Sequence, residues 1–134
     1  MEHYKLYING EFTNSSTNKS FESIDPSTEK PWATIAEANK TDVNHAVDSA
    51  YKAFHGEWST LLPNQRGNYL RAIGDQLKEN AELLGKIETM DTGKMFKETK
   101  FQANYIAEYY YYYAGIVDKI EGSTLPIDKT NMQV

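Results

Sequence analysis

The segment Glu88–Lys94 places two carboxylates, a glycine and a lysine at a point where a helical pattern ends. Glu88 and Asp91 are three residues apart and would share one helix face, as an acid–base pair or as a solvated edge. Asp91 falls in the last helical turn, where the helix dipole disfavours a carboxylate by about 0.3–1 kcal/mol. We therefore expect a positive partner for Asp91, either Lys94 or a cation that backbone carbonyls also bind.

Other reactive groups are scarce in this sequence. It contains no cysteine, so it has no disulfide, no thiolate metal ligand and no thiol nucleophile. His3, His45 and His55 have no helix-spaced partner of the kind that zinc sites use, and we interpret them as solvated surface residues. No glycine-rich nucleotide motif and no serine triad can be recognised.

Composition indicates one globular domain of 134 residues, 40% of them hydrophobic and 25% charged. The net charge of −5 argues against nucleic acid or an anionic membrane as the main partner. The longest apolar run, from Tyr109 to Val117, is far below the roughly 20 residues that span a bilayer. Without an apparent export signal or a disulfide, we predict a cytoplasmic location.

The first part of the chain has the alternating pattern of β-strands, and the predicted β segments lie within residues 4–36. Asn9-Gly10 is typical of a two-residue hairpin turn, here between strands at about 4–8 and 11–13. Two further strands are predicted at 21–24 and 32–36. Pro31 stands at the start of the last one, where its missing N–H matters least.

From residue 41 to residue 117 the apolar spacing becomes helical, and about four helices are predicted. Their ranges are about 41–55, 64–80, 81–90 and 97–117, with residues 58–63 as a connection and an extended tail at 122–134. Thr41 is the predicted N-cap of the first helix, and Asn80 the stop of the second. Gly93 is expected to end the third in a left-handed conformation, and Gly74 either to weaken the second helix or to let another element approach closely.

The fourth helix has two apolar stripes, one through Phe101, Tyr105 and Tyr109 and one through Ile106, Tyr110 and Tyr113. A helix that is apolar over so much of its circumference is normally buried between two layers. The chain is too short to supply both layers, so we expect apolar faces that remain uncovered. The tyrosine run itself points in several directions on a helix, which favours packing over a single stacking surface.

These features together resemble the N-terminal part of the NAD(P)-dependent aldehyde dehydrogenases. The matching pieces follow the family's order along the whole chain: Leu6–Phe12, Asp25–Thr28, Asp42-Val43, Ala46-Val47, Ala53-Phe54, Arg66-Gly67, Glu88–Lys94, Tyr112–Gly115, Asp118-Lys119 and Gly122–Ile127.

The resemblance implies an α+β fragment in which residues 1–134 form one N-terminal portion of a Rossmann-like cofactor-binding domain. The parent enzyme would oxidise an aldehyde to a carboxylic acid with NAD or NADP, as a homo-oligomer (dimer or tetramer). Its cysteine nucleophile, glutamate base and cofactor motifs lie outside the chain. We therefore expect no catalytic residue, no cofactor-binding residue and no activity from this chain without its partner, the remainder of the enzyme.

The resemblance also implies two sites within the chain. Many relatives bind a monovalent cation, K⁺ or Na⁺, through an aspartate at the position of Asp91. Main-chain oxygens at Ser23 and Ile24 complete the implied site, with one further ligand from beyond Val134. In some relatives the helix after the Gly-Lys turn lines the substrate tunnel, which points to Phe101 and Tyr105.

Two alternatives stay open beside a fragment of an aldehyde-oxidising enzyme. The chain could be a stand-alone helical binding module of the same ancestry, or a small hydrolase that uses Glu88 and Asp91. Coding sequence beyond Val134 with a Pro-Trp-Asn segment and a later cysteine would select the enzyme. The sequence names neither the aldehyde nor the choice between NAD and NADP.

Overall fold

The structure, a computed structural model, describes residues 1–124. It confirms the α+β fold, with short strands followed by helices. The strands are β1 (Glu2–Tyr4), β2 (Leu6–Ile8), β3 (Glu11–Thr13), β4 (Ser20–Asp25) and β5 (Lys30–Ala36). The helices are α1 (Lys40–His55), α2 (Glu57–Thr60), α3 (Pro63–Glu79), α4 (Ala81–Thr92) and α5 (Phe96–Ile116). Residues 125–134 of the predicted tail lie outside the described part.

The predicted first strand is in fact two strands that belong to different sheets. β1 pairs in parallel with β5, which also pairs antiparallel with β4, in the order β1-β5-β4. β2 and β3 form a separate hairpin. Alternation alone could not show this break, because Tyr4 and Leu6 keep the same period while their pairing partners differ. The predicted turn is confirmed, since Asn9 and Gly10 both have positive φ, 55° and 82°.

Helix α1 begins earlier than predicted, and its N-cap is Asn39, not Thr41. The Asn39 side chain accepts hydrogen bonds from the backbone N–H groups of Thr41 (2.7 Å) and Asp42 (3.2 Å). The Asp42 carboxylate in turn accepts from the Asn39 N–H at 3.0 Å, which completes a capping box. Asp42 is buried and also accepts from the Ser15 hydroxyl and the Ser16 N–H, both at 3.1 Å. One carboxylate thus joins the loop before β4 to the start of α1.

We predict that Asp42→Asn lowers the melting temperature at neutral pH and that the difference from the wild type narrows in acid. Hydrogen bonds, that of the Asn39 N–H foremost, lower the pKa of Asp42 from its ordinary 3.8. This stabilisation is fully present above pH 3.8 and is lost as pH falls through the lower folded-state pKa. Melting curves from pH 7 downwards, with the exposed Asp48→Asn as control, test this. A difference in melting temperature between Asp42→Asn and the wild type that stays constant with pH would contradict this prediction.

Helix α5 packs against α3 on one side and α4 on the other through small side chains. Ala103, Ala107 and Ala114 of α5 are buried. Gly74 of α3 confirms the predicted close approach, since a Cβ there would lie 2.6 Å from the Tyr111 ring. The Tyr111 hydroxyl of α5 also donates a hydrogen bond to the Asp75 carboxylate of α3, at 2.7 Å. The alanine and glycine face, not the aromatic stripes, therefore makes the helix core.

The aromatic stripe of α5 lies on the surface, which confirms that this chain leaves apolar faces uncovered. Phe101 is 65% exposed and Tyr109 54%. α1 also presents apolar side chains to the surface, among them Val47 and Phe54. Residues 57–60, of which 58–60 belong to the predicted connection, form the single helical turn α2, where the Ser59 hydroxyl donates to the Gly56 carbonyl. Among residues 1–124, no helix is both long enough and apolar enough to cross a membrane.

Candidate functional site

Asp91 occupies the last turn of α4, as the sequence predicted. The helix ends at Gly93, whose φ of 74° is left-handed and whose N–H donates to the Thr89 carbonyl at 2.9 Å. Lys94 does not pair with Asp91, because its ammonium group binds Glu88 at 2.7 Å. Among residues 1–124, Glu88 and Asp91 therefore have different side-chain partners, Lys94 for Glu88 and Ser23 for Asp91.

The partner of Asp91 is Ser23, whose hydroxyl donates to Asp91 Oδ1 at 2.6 Å. This hydrogen bond joins the C-terminal end of α4 to β4, across 68 residues of sequence. The predicted site used the main-chain oxygens of Ser23 and Ile24, whereas the contact seen is made by the serine side chain. The structure thus brings Asp91 beside the expected strand, and binding of an ion there remains a prediction.

The turn after β4 fixes the position of β4 against the C-terminal end of α4. Asp25 accepts hydrogen bonds from the Ser27 N–H (2.8 Å) and the Ser27 hydroxyl (2.7 Å), and the bond from the hydroxyl is the main cause of the lowered pKa of Asp25. Pro26 lies against the end of α4, since a Cβ at Gly93 would come within 3.3 Å of the Pro26 ring. The close fit of Pro26 on Gly93 places Ser23 within reach of Asp91.

An irregularity in the β4–β5 pairing affects the backbone at the same point. The register passes from Ser23 opposite Ala33 to Ile24 opposite Pro31, so one step along β4 spans two along β5. Pro31 has no N–H and cannot donate to the Ile24 carbonyl. A cation site on β4 would require a carbonyl that is free of such a ladder hydrogen bond.

The observed groups are the Asp91 carboxylate and the Ser23 hydroxyl, and the predicted site adds the main-chain oxygens of Ser23 and Ile24, so all of these donors are hard oxygens. Such donors suit alkali and alkaline-earth cations, not zinc or copper. Within residues 1–124, no cluster of three or more His, Cys, Asp or Glu side chains could hold a metal ion. Oxygen donors are compatible with the monovalent cation site that the resemblance implied at Ser23, Ile24 and Asp91, and that site stays a prediction.

The two predicted tunnel residues stand together on α5. The rings of Phe101 and Tyr105 are stacked, with centroids 5.9 Å apart and planes 12° from parallel. Tyr109 continues the row, edge-on to Tyr105 at 5.5 Å. This exposed aromatic row can contact an apolar ligand or a further layer of protein.

Sequence reasoning missed Trp32, whose indole N–H donates to the Ser23 hydroxyl at 3.0 Å. Trp32 had been interpreted only as the start of a strand. The one available signal was Pro31 before it, because proline within a strand often marks a bulge. A pairing irregularity depends on the partner strand, which the local pattern does not reveal.

Most of the chain matches one known protein family. The model of the aldehyde dehydrogenase family matches residues 12–134. The (Z)-2-((N-methylformamido)methylene)-5-hydroxybutyrolactone dehydrogenase of Acinetobacter baylyi is 47% identical over 99% of this chain and 27% of its own length. Aldehyde dehydrogenase 1 of Tanacetum cinerariifolium is 42% identical over 90% of this chain and 25% of its own.

Solved structures agree with these sequence matches. A Bacillus cereus aldehyde dehydrogenase superimposes with a TM-score of 0.89 at 35% identity, covering 95% of this chain and 26% of that one. Betaine aldehyde dehydrogenase of Staphylococcus aureus, solved in complex with NAD⁺, gives 0.87 at 33% identity, with 96% and 26% covered. The chain spans about a quarter of the length of these relatives. Because sequence and fold agree over nearly all of its residues, the chain belongs to the aldehyde dehydrogenase family.

Proposed function

We propose that this chain forms the N-terminal portion of the cofactor-binding domain of an NAD(P)-dependent aldehyde dehydrogenase. The observation that carries the proposal is the match along nearly the whole chain, in sequence and in fold, to about a quarter of such enzymes. In the parent enzyme the chain supplies scaffold, a cation site and part of the substrate tunnel. The nucleophile, the base and the groups that bind NAD or NADP belong to the remainder of the enzyme, which acts as a cytoplasmic homo-oligomer.

The absence of cysteine supports this division of labour. Aldehyde oxidation through a covalent intermediate needs a thiolate that attacks the carbonyl carbon, and residues 1–134 contain no thiol. The described residues also include no recognisable cofactor motif, so no step can be assigned to NAD in this chain. Its own contribution is positional: α4 and α5 hold Asp91 and the aromatic row in fixed relation.

We propose Phe101 and Tyr105 as tunnel residues on the basis of their exposure and stacking. A pair of parallel rings offers a flat apolar wall, which suits the carbon chain or ring of an aldehyde. The proposal assigns no particular aldehyde. If the chain is instead a stand-alone binding module, the same aromatic row would be its contact surface.

Catalytic silence of the chain is the first expected outcome. Mixed with NAD or NADP and a panel of aldehydes, the 134-residue chain should give no reduced nicotinamide above a buffer blank. The complete protein that carries this chain should reduce the cofactor under the same conditions. Turnover by the chain itself would contradict the predicted silence, and silence of the complete protein would favour the binding module.

A specific response to small cations is the second expected outcome. In the complete protein, Asp91→Ala should lower the melting temperature more in potassium or sodium chloride than in tetramethylammonium chloride at equal ionic strength. The reason is that a bound ion stabilises only the folded state, and the large cation cannot enter the site. Asp48→Ala, exposed on α1, is the control. An equal loss for Asp91→Ala in all three salts would mean that no ion is held there.

A further inference from the structure

Trp32 is the extra residue of a β-bulge. Opposite Ser23 and Ile24 of β4 lie Ala33 and Pro31 of β5, so Trp32 has no partner on β4. A bulge changes the direction of the extra side chain and often lies next to a functional site. In regular pairing, Trp32 would point away from the face that Ser23 and Ala33 share, because neighbouring strand residues alternate. The bulge thus explains how its indole reaches the Ser23 hydroxyl.

The hydrogen bonds from Trp32 to Asp91 have a fixed direction. An indole N–H is only a donor, so at 3.0 Å it must use Ser23 Oγ as an acceptor. The serine has one hydroxyl hydrogen, and it is directed to Asp91 Oδ1 at 2.6 Å. Trp32, Ser23 and Asp91 therefore form a chain of hydrogen bonds that ends on a carboxylate, and each bond polarises the next.

The ring of Trp32 is held independently of its N–H. It lies in a groove between β1 and α4 that Tyr4, Ile87 and Met90 also line. The Tyr4 ring is tilted against it, with centroids 5.8 Å apart. Phenylalanine can keep much of this aromatic packing and lacks only the donor. The hydrogen bond can therefore be removed while most of the packing stays.

We propose that Trp32 is a positioning residue for Asp91, acting through Ser23, in the cation site on which this inference rests. Among residues 1–124, Ser23 is the only hydrogen-bond donor to the Asp91 carboxylate, and it occupies Oδ1. The second oxygen, Oδ2, is left for the ion. The indole fixes which way the serine hydroxyl points, and so fixes the orientation of the carboxylate that a cation meets.

A double-mutant cycle tests the positioning itself without any small cation. Wild type, Trp32→Phe, Asp91→Asn and the double variant of the complete protein are melted in tetramethylammonium chloride. Within residues 1–124, the one hydrogen-bond partner that Trp32 and Asp91 share is the Ser23 hydroxyl. The loss of stability in the double variant should therefore be clearly smaller than the sum of the single losses. Additive losses would overturn the inference.

Potassium titration tests the role toward the ion. In Trp32→Phe, the potassium concentration that gives half of the cation-dependent rise in melting temperature should increase about tenfold, the lower end of typical effects of residues behind metal ligands. Trp58→Phe is the matched control, since Trp58 packs only on Tyr69 at 5.6 Å among the described aromatic pairs. It should leave this concentration unchanged.

The outcomes separate this inference from the proposed function. A potassium response that is identical in Trp32→Phe and wild type overturns the role of Trp32 and leaves the cation site standing. No potassium-specific response in the wild type overturns the site and, with it, the role of Trp32 toward an ion. Aldehyde oxidation by the complete protein is measured separately, so family activity can hold in either case.

Discussion

Gly85→Ala should destabilise the chain by about 2 kcal/mol, within the usual range for an overpacked interior. A Cβ at this position of α4 would lie 2.8 Å from the backbone nitrogen of Lys100 and 2.9 Å from its Cα. These are backbone atoms of α5, so no side chain can rotate away and one helix must shift. The Thr99 hydroxyl marks the same close approach, because it donates to the Gly85 carbonyl at 2.9 Å.

Gly115→Ala is the matched control for Gly85. Residue 115 also lies in a helix, α5, but a Cβ there would meet no atom within 4 Å among residues 1–124, apart from the adjacent backbone of its own helix. Alanine at an open helical position gains up to about 1 kcal/mol of helix propensity. Urea unfolding of the chain should therefore give shifts of opposite sign for the same substitution at the two glycines. A stabilised Gly85→Ala would show that the α4–α5 contact is looser than described.

The contact between Gly85 and Lys100 lies next to the aromatic row of α5. Lys100 precedes Phe101, and Lys100 also bonds Glu82 of α4 at 3.0 Å. Glu82 is held between Lys86 and Lys100, whose hydrogen bonds lower its pKa to about 2. Displacing α5 at Gly85 would therefore move the aromatic row relative to Asp91. Activity of the complete protein should fall together with stability in Gly85→Ala.

Features controlled by a few adjacent residues were predictable from the sequence. Asn9-Gly10 gave the hairpin, and the C-cap Asn80 and the left-handed Gly93 end helices as predicted. In each case the backbone conformation depends on the residue type itself, through positive φ at the turn residues or through a side chain that bonds the preceding turn, as the Asn80 amide does with the Gln76 carbonyl at 2.9 Å. The resemblance added the pairing of Asp91 with the strand around Ser23, which local pattern does not contain.

Features that depend on a distant partner were missed. The true cap of α1 is Asn39 because Asp42 also ties down Ser15 and Ser16, and that loop contact favours one of two acceptable caps. The bulge at Trp32 exists only in relation to β4. The small-residue face of α5 was overlooked because alanines contribute little to an apolar pattern dominated by tyrosines, although they allow the closest helix approach.

Gly93→Ala, in the turn after α4, should lower the free energy of unfolding by about 1–2 kcal/mol. Gly93 has φ of 74°, a left-handed conformation that penalises a Cβ by about that amount. We expect crowding to cost less than the backbone conformation, since the nearest atom to a Cβ would be Pro26 Cβ at 3.3 Å. Conformation and crowding can be separated with asparagine, which is larger than alanine but adopts left-handed φ more readily.

If conformation dominates, Gly93→Asn should be less destabilising than Gly93→Ala. Gly93→Val should be more destabilising than both, because a side chain branched at Cβ is least tolerated at positive φ. If the contact with Pro26 dominates, the loss should instead follow side-chain size, with asparagine worse than alanine. Urea unfolding of the three variants decides the order. Since Pro26 and Gly93 together keep Ser23 beside Asp91, the order found for stability should also be found for the potassium response of the complete protein.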